Sequence, residues 1–334
     1  MSTFNITVRS ENEDKRIPIS VASNVMNDVQ LLLVHIGSSI ISGELGYQNK
    51  VDTKLSERFT LYMDPKGGVS FSSAGKGKSD LMDITVSLLK TTLERMGSGS
   101  GTYWMEDTYK DPRYRCLVLN DLIRLSKHLS PEKGYKLFFA KDDNEIAFNP
   151  VDIEKAEAFL NGAGKISKGS VPGILYGVST KRGAPMYGFV VGDSRIKISF
   201  RSKEAESNAS EYVNGAVLIT GTLRYSDDGE LLDITNIDSV DPYDKRRFDH
   251  MISAERDILL SKAIDISVKY DREKAEWKLS YPDLGISSTN QHWDTAVTEF
   301  HDYFVFLCDN YLKKDDNELS EEEKEVKELL ISLI

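Results

Sequence analysis

Alternation of polar and apolar residues is clearest in the middle of the chain, between residues 165 and 243. Residues 195–200 read RIKISF, and this alternation is typical of a strand with one face in water. Comparable runs predict four further strands, at residues 171–178, 186–191, 216–225 and 231–240. A polar segment at 202–214 predicts a helix between the third and fourth of these five strands. Interspersed glycines favour strong coiling, so we predict a small β-barrel.

Residues 1–163 instead mix helical and extended patterns. Apolar residues at i, i+3 and i+4 spacing predict helices, at residues 20–41, 80–96, 113–129 and 151–160. A strand is predicted at 4–8, and paired β-rich runs predict hairpins at 59–73 and 136–148. We therefore expect an N-terminal α+β domain built from helices and hairpins.

The C-terminal third predicts a further unit, residues 249–334. Its pattern predicts a helix at 249–262, strands at 264–270 and 275–280, a helix at 293–312 and an acidic amphipathic helix at 314–333. The fold class is accordingly predicted as α+β and multi-domain, with domains 1–163, 165–243 and 249–334.

Two of these segments resemble known families. The central segment resembles the small barrels of the OB and SH3 types. The C-terminal segment is similar to the ββα unit of HicB-type antitoxins, in which an acidic turn, an aromatic-bearing strand, a Pro-x-Leu-Gly step and an alanine-containing helix follow one another. The corresponding residues here are Tyr270-Asp271, Trp277, Pro282 to Gly285 and Ala296.

This second resemblance implies a non-catalytic protein that binds and neutralises a partner, such as a basic toxin or nuclease, as a component of a toxin–antitoxin or defence system. An acidic chain suits a basic partner because opposite potentials accelerate association. Candidate contacts with the partner are Trp277, Tyr281 and Trp293. The DNA-binding tail of the family is replaced by the acidic segment 314–333, which argues against autoregulation of transcription.

Charge adds an alternative function. The formal net charge of -11 argues against non-specific binding of the whole molecule to nucleic acid or to anionic membranes. The barrel segment nevertheless concentrates cations beside aromatic residues, a pattern typical of surfaces that bind single-stranded nucleic acid. The candidate residues are Lys181, Arg182, Tyr187, Arg195, Lys197 and Arg201. Alternation alone also explains these charges, as the solvated face of a strand.

Catalytic and metal-binding motifs are weak. Residues 75–79 read GKGKS before a predicted helix, but Ser72 occupies the position of the leading glycine of a phosphate-binding loop, and the preceding strand belongs to a hairpin. The five histidines are scattered, although His292 and His301 lie near enough for one helix and its cap. We expect no catalytic residue, metal or cofactor.

Cys116 and Cys308 lie in apolar patterns and are expected to be buried thiols in a reducing compartment. No basic and apolar leader begins the sequence, and no apolar run is expected to reach the ~18 residues of a membrane span. These features predict a cytoplasmic protein that does not enter a membrane. A homo-oligomer is compatible with the sequence.

Overall fold

A computed structural model describes residues 4–11, 16–45, 61–63, 70–73, 80–97, 102–141, 144–179, 185–191, 194–253 and 257–334. The chain forms two compact units. The first contains residues 1–40, 51–167 and 225–230, and the second contains 41–50, 168–224 and 231–334. Both helices and strands are present, as an α+β fold requires. Barrel and C-terminal sheet belong to the same unit, whereas the sequence predicted two separate domains for them.

The first unit is built on an antiparallel sheet with strand order β2-β3-β1-β4-β5. Its strands are β1 (Phe4–Ser10), β2 (Leu61–Met63), β3 (Ser70–Ser73), β4 (Tyr135–Lys141) and β5 (Asn144–Ala147). Strand β1 lies in the centre because it pairs with a hairpin on each side. Ile6, for example, faces Phe71 of β3 and Phe139 of β4. The predicted strand and both predicted hairpins are confirmed, while the turn at 64–69 lies outside the described residues.

The helices of this unit are α1 (Ile19–Leu45), α2 (Asp80–Gly97), α3 (Trp104–Thr108), α4 (Pro112–His128) and α5 (Ile153–Asn161). Helix α1 buries the predicted apolar stripe, which includes Val25, Val29, Leu32, Leu33 and Ile36. Helix α4 begins where expected because the Asp111 carboxylate accepts a hydrogen bond from the Arg113 amide, and Pro112 fixes the first turn. Residues 74–79, which include the GKGKS motif, lie outside the described residues.

A polar network joins α1 to α4. His35 is buried, with its Nδ1 2.6 Å from Oδ2 of Asp121. Arg124 contacts both Asp121 and Asp28, with its Nε 3.4 Å from Oδ1 of Asp28. Burial raises the pKa of Asp28, and the Arg124 charge opposes that rise. Such networks hold two helices in one register when their charges are matched.

In the second unit, five strands close into a barrel with order β10-β8-β7-β6-β9. They are β6 (Ile166–Ser179), β7 (Pro185–Val191), β8 (Ser194–Phe200), β9 (Gly215–Tyr225) and β10 (Leu231–Pro242). Neighbours β6, β7 and β8 are antiparallel, whereas β8 and β10 run parallel. Helix α6 (Lys203–Ala209) connects β8 to β9. The predicted barrel, its five strands and the intervening helix are therefore present.

Two barrel glycines make room for aromatic rings. A Cβ atom at Gly173 would lie 2.5 Å from the ring of Phe189, which is fully buried inside the barrel. A Cβ atom at Gly188 would overlap the ring of Tyr176. The sequence attributed these glycines to tight coiling, and close packing of a ring is the more specific reason at both positions.

The C-terminal part is an antiparallel sheet with order β11-β12-β13-β14. Its elements are β11 (Lys245–Ile252), β12 (Asp257–Asp271), β13 (Glu276–Tyr281), β14 (Ile286–Asn290), α7 (Trp293–Tyr311) and α8 (Glu321–Leu333). Helix α7 contacts β11, β13 and β14, and α8 contacts β12. The start of α8 is fixed by a capping box, in which Ser320 and Glu323 exchange hydrogen bonds.

The helix predicted at 249–262 is wrong. This segment contributes to the antiparallel pair of β11 and β12, whose facing residues include Met251 and Ile258. Ile258 and Leu260 are buried while Leu259 is exposed, which is the period of a strand. Pairing of β11 with β12 therefore overrides the local helix-forming composition.

Residues Ile19–Ile40 of α1 are long and apolar enough to cross a membrane, with a mean hydropathy of 1.2. This differs from the expectation that no apolar run reaches that length. Within the part of the chain that the structure describes, one such helix occurs, and 56% of its apolar 18-residue window is buried inside the structure. Core helices of soluble proteins and signal sequences meet the same criterion.

Candidate nucleic-acid interface

The outer face of β6, β7 and β8 carries the predicted cations Arg195 and Lys197. Both side chains are exposed, and Ile196 between them is buried in the barrel. Because successive side chains of a strand point to opposite faces, the two cations lie on the same outer face. In the pairing of β7 with β8, Arg195 is opposite Val190.

An aromatic ring lies beside these cations. Tyr176 of β6 is opposite Gly188 of β7, and the contact described above places its ring over this glycine. Continuing the β7–β8 register by one residue puts Gly188 opposite Lys197. The outer face therefore presents a half-buried tyrosine ring next to a lysine and an arginine from the neighbouring strand. We call Tyr176, Arg195 and Lys197 the barrel face.

The cations of the barrel face differ from others of the barrel in their partners. Among the described residues, Arg195 and Lys197 form no side-chain hydrogen bond or ion pair. Arg201, by contrast, lies 3.3 Å from Asp238, so its charge is already matched. Arg224 is paired with Asp233. The barrel face thus keeps two positive charges without an internal counter-charge.

The predicted nucleic-acid residues are only partly brought together. Tyr187 is half-buried and packs edge-to-face on Phe200 with a centroid distance of 5.6 Å, on the inward side of β7. Lys181 and Arg182 lie outside the described residues. Tyr176, rather than the predicted Tyr187, is the aromatic residue beside the two cations. The sequence signal that could have indicated it is the pairing of an aromatic residue with a strand glycine.

The residues predicted to contact a partner lie mostly inside the second unit. Trp277 and Trp293 are each 5% exposed, and their rings are 5.1 Å apart. Both also pack on Tyr243, and burial raises the pKa of that tyrosine to about 12. Tyr281 is half-buried, and its pKa is raised by burial and by Asp283. This cluster packs the core where β10 leads into the C-terminal sheet.

A second exposed feature was missed by the sequence analysis. Tyr303 and Phe306 lie three residues apart on α7, are 43% and 55% exposed, and stack with ring centroids 5.9 Å apart. Glu299, one turn before Tyr303, is exposed as well. The signal was available, because these aromatic residues fall outside the apolar stripe of the helix. We call Glu299, Tyr303 and Phe306 the α7 face.

Both cysteines, Cys116 and Cys308, are buried. Burial raises the pKa of the Cys116 thiol to about 12, so this cysteine is a poor nucleophile. Within the described ranges, no group of three or more His, Cys, Asp or Glu side chains could hold a metal ion. Comparison of the chain with protein-family models, with curated proteins and with solved structures gives no match.

Proposed function

We propose that the protein binds single-stranded nucleic acid on its barrel face. The observation that carries the proposal is the exposed pair Arg195 and Lys197, without internal partners among the described residues, beside the ring of Tyr176. Bases stack on aromatic rings while cations follow the phosphates, and together these contacts bind a strand without reading its sequence.

Strand connectivity supports this proposal. The barrel strands, numbered along the chain, close in the order 1-2-3-5-4, with the third and fifth strands parallel and a helix between the third and fourth. This arrangement resembles the OB fold, which binds oligonucleotides on its second and third strands. Arg195 and Lys197 lie on the third strand, and Tyr176 covers a glycine of the second.

Fluorescence anisotropy with a labelled oligo-dT of ~20 nucleotides, longer than the site of one OB fold, tests the proposal. We expect saturable binding that weakens with salt, with a log–log slope near -1.4 for two phosphate contacts on a single strand. A duplex of equal length should bind more weakly, because its bases cannot stack on Tyr176. Equal affinity for the duplex, or no binding at low salt, would contradict the proposal.

Protein binding through the α7 face is the second candidate function. Exposed aromatic pairs are typical of the energetic centre of protein interfaces. Helix α7 contains four carboxylate residues and no lysine or arginine, so its field favours a basic partner. An arginine of that partner could stack on Tyr303 or Phe306. A basic protein partner also agrees with the implied antitoxin-like role.

Changing Phe306 to glutamate should reduce capture of a basic partner at least tenfold, because it removes an exposed interface ring. The measurement is affinity purification of tagged protein from its host after nuclease treatment, with quantitative mass spectrometry. Ile331→Glu is the matched control, since Ile331 is 59% exposed on α8 and receives the same change. A partner kept by Phe306→Glu would exclude the α7 face. If wild type self-associates and Phe306→Glu does not, the α7 face binds a second copy of this chain, and the proposal of a basic partner is wrong.

A further inference from the structure

An open cleft lies in the first unit. It is lined by Glu106, Lys110, Arg115, Asn161, Gly162, Ile166 and Ser167. Its volume is about 680 Å³, within the range of ~300–1,000 Å³ that is usual for small-molecule sites. The lining comes from α3 and the residues after it, from the first turn of α4, and from the end of α5 and its continuation into β6.

Arg115 is the unusual residue of this cleft, because its side chain is only 5% exposed. Burying a guanidinium is costly unless its charge is matched. Its nearest carboxylate is that of Glu106, an exposed residue, and the two groups are 3.8 Å apart. Burial lowers the pKa of Arg115, the direction expected when the surrounding negative charge does not fully compensate.

Part of the role of Arg115 is structural. Its Nε donates to the carbonyl oxygen of Tyr109 at 3.1 Å, and its Nη2 donates to that of Lys110 at 3.2 Å. These bonds satisfy carbonyls just after the end of α3, a common use of arginine. These two bonds use Nε and Nη2, and the third nitrogen, Nη1, lies 3.8 Å from Oε1 of Glu106, which also lines the cleft.

The remaining lining favours a negatively charged ligand. Lys110 is exposed, and among the described residues its ammonium group forms no ion pair. Two cations thus line the cleft against the single carboxylate of Glu106. Asn161 adds an amide donor, and Ile166, 46% exposed, offers apolar surface for an uncharged part of the ligand. A planar guanidinium, an ammonium group and an amide are together suited to a phosphate.

We propose that this cleft binds a small organic phosphate monoester, with Arg115 and Lys110 holding the phosphate and Ile166 contacting the organic part. The residues that line this site are different from those of the barrel face and of the α7 face. A phosphate group alone would fill a small part of the cleft, which is why the ligand is expected to carry an organic part.

Isothermal titration of the full chain with AMP, inorganic phosphate and adenosine tests the proposal. We expect AMP to bind more tightly than phosphate, and adenosine to show no binding. Lys110→Gln should weaken AMP binding about fivefold and Glu106→Gln should tighten it about fivefold, because each changes one charge at the phosphate. Arg115→Lys keeps the charge but loses the planar fork, and should weaken AMP binding at least tenfold.

Because Arg115 also holds the end of α3, its variant could lose structure. The variants at the exposed residues Lys110 and Glu106 do not depend on Arg115. Misfolding cannot explain AMP binding that weakens in Lys110→Gln and tightens in Glu106→Gln. Lys127→Gln is the control for a change of net charge, because Lys127 pairs with Glu157 outside the cleft. Equal binding of adenosine and AMP, no heat with any probe, or the same direction of change in Lys110→Gln and Glu106→Gln would overturn the proposal.

Discussion

Changing Arg195 and Lys197 together to glutamate is expected to weaken binding of a single strand by about 30- to 100-fold near 0.1 M salt. Each substitution removes one phosphate contact and adds a repulsive charge at the same place. The log–log salt slope should fall by ~1.4 at the same time, because two fewer counterions are released. Anisotropy titrations at four or more salt concentrations measure both quantities.

A matched double reversal separates the barrel face from the net charge of the molecule. Lys269 and Lys278 are cross-strand partners on the C-terminal sheet, and both are exposed. Changing both to glutamate alters the net charge equally and should leave affinity within about threefold, since long-range charge effects are screened at this salt. Equal losses in the two double variants would mean that total charge, rather than the barrel face, controls binding.

The sequence predicted one half of the barrel face. A period of two in residues 195–200 is sufficient to place Arg195 and Lys197 on one side of a strand, and β8 confirms this. The position of Tyr176 depends on which residue of β7 is opposite it, and register is set by the pairing of whole strands. Local alternation does not determine which strand residues are paired. The sequence therefore favoured Tyr187, whose ring instead packs on Phe200.

The C-terminal unit shows a different limit of sequence reasoning. Segment 249–262 has a composition that suits a helix, yet its described residues 249–252 and 257–262 belong to strands β11 and β12, where the sheet buries Ile258 and Leu260. Trp277 and Trp293 were assigned to a partner surface from their residue type alone. Which face of an element is covered depends on its neighbours, and here the two indoles pack on each other and on Tyr243.

His301 illustrates a property that no sequence pattern indicated. It lies fully buried on α7, where its Nδ1 accepts a hydrogen bond of 3.1 Å from the amide of Ile252. Nδ1 is therefore unprotonated and the ring is neutral. Nε2 finds no hydrogen-bond partner among the described residues, and the ring packs edge-to-face on Phe248. Burial, supported by the charges of His250 and Arg246, lowers the pKa of His301 to about 3.

Stability should consequently fall as the pH drops below 6.5. Between pH 6.5 and about 3 the imidazole of His301 binds a proton in the unfolded chain but not in the folded protein, so acid favours unfolding. Compared with His301→Asn, whose amide oxygen can still accept from Ile252, wild type should lose an additional ~1.4 kcal/mol per pH unit. Urea unfolding from pH 7.5 to pH 4.5 measures this difference, which should reach about 2–3 kcal/mol at the lower pH. Parallel stability curves for the two proteins would show that His301 takes up a proton in the fold as readily as in the unfolded chain, and the neutral, buried ring described here would then be wrong.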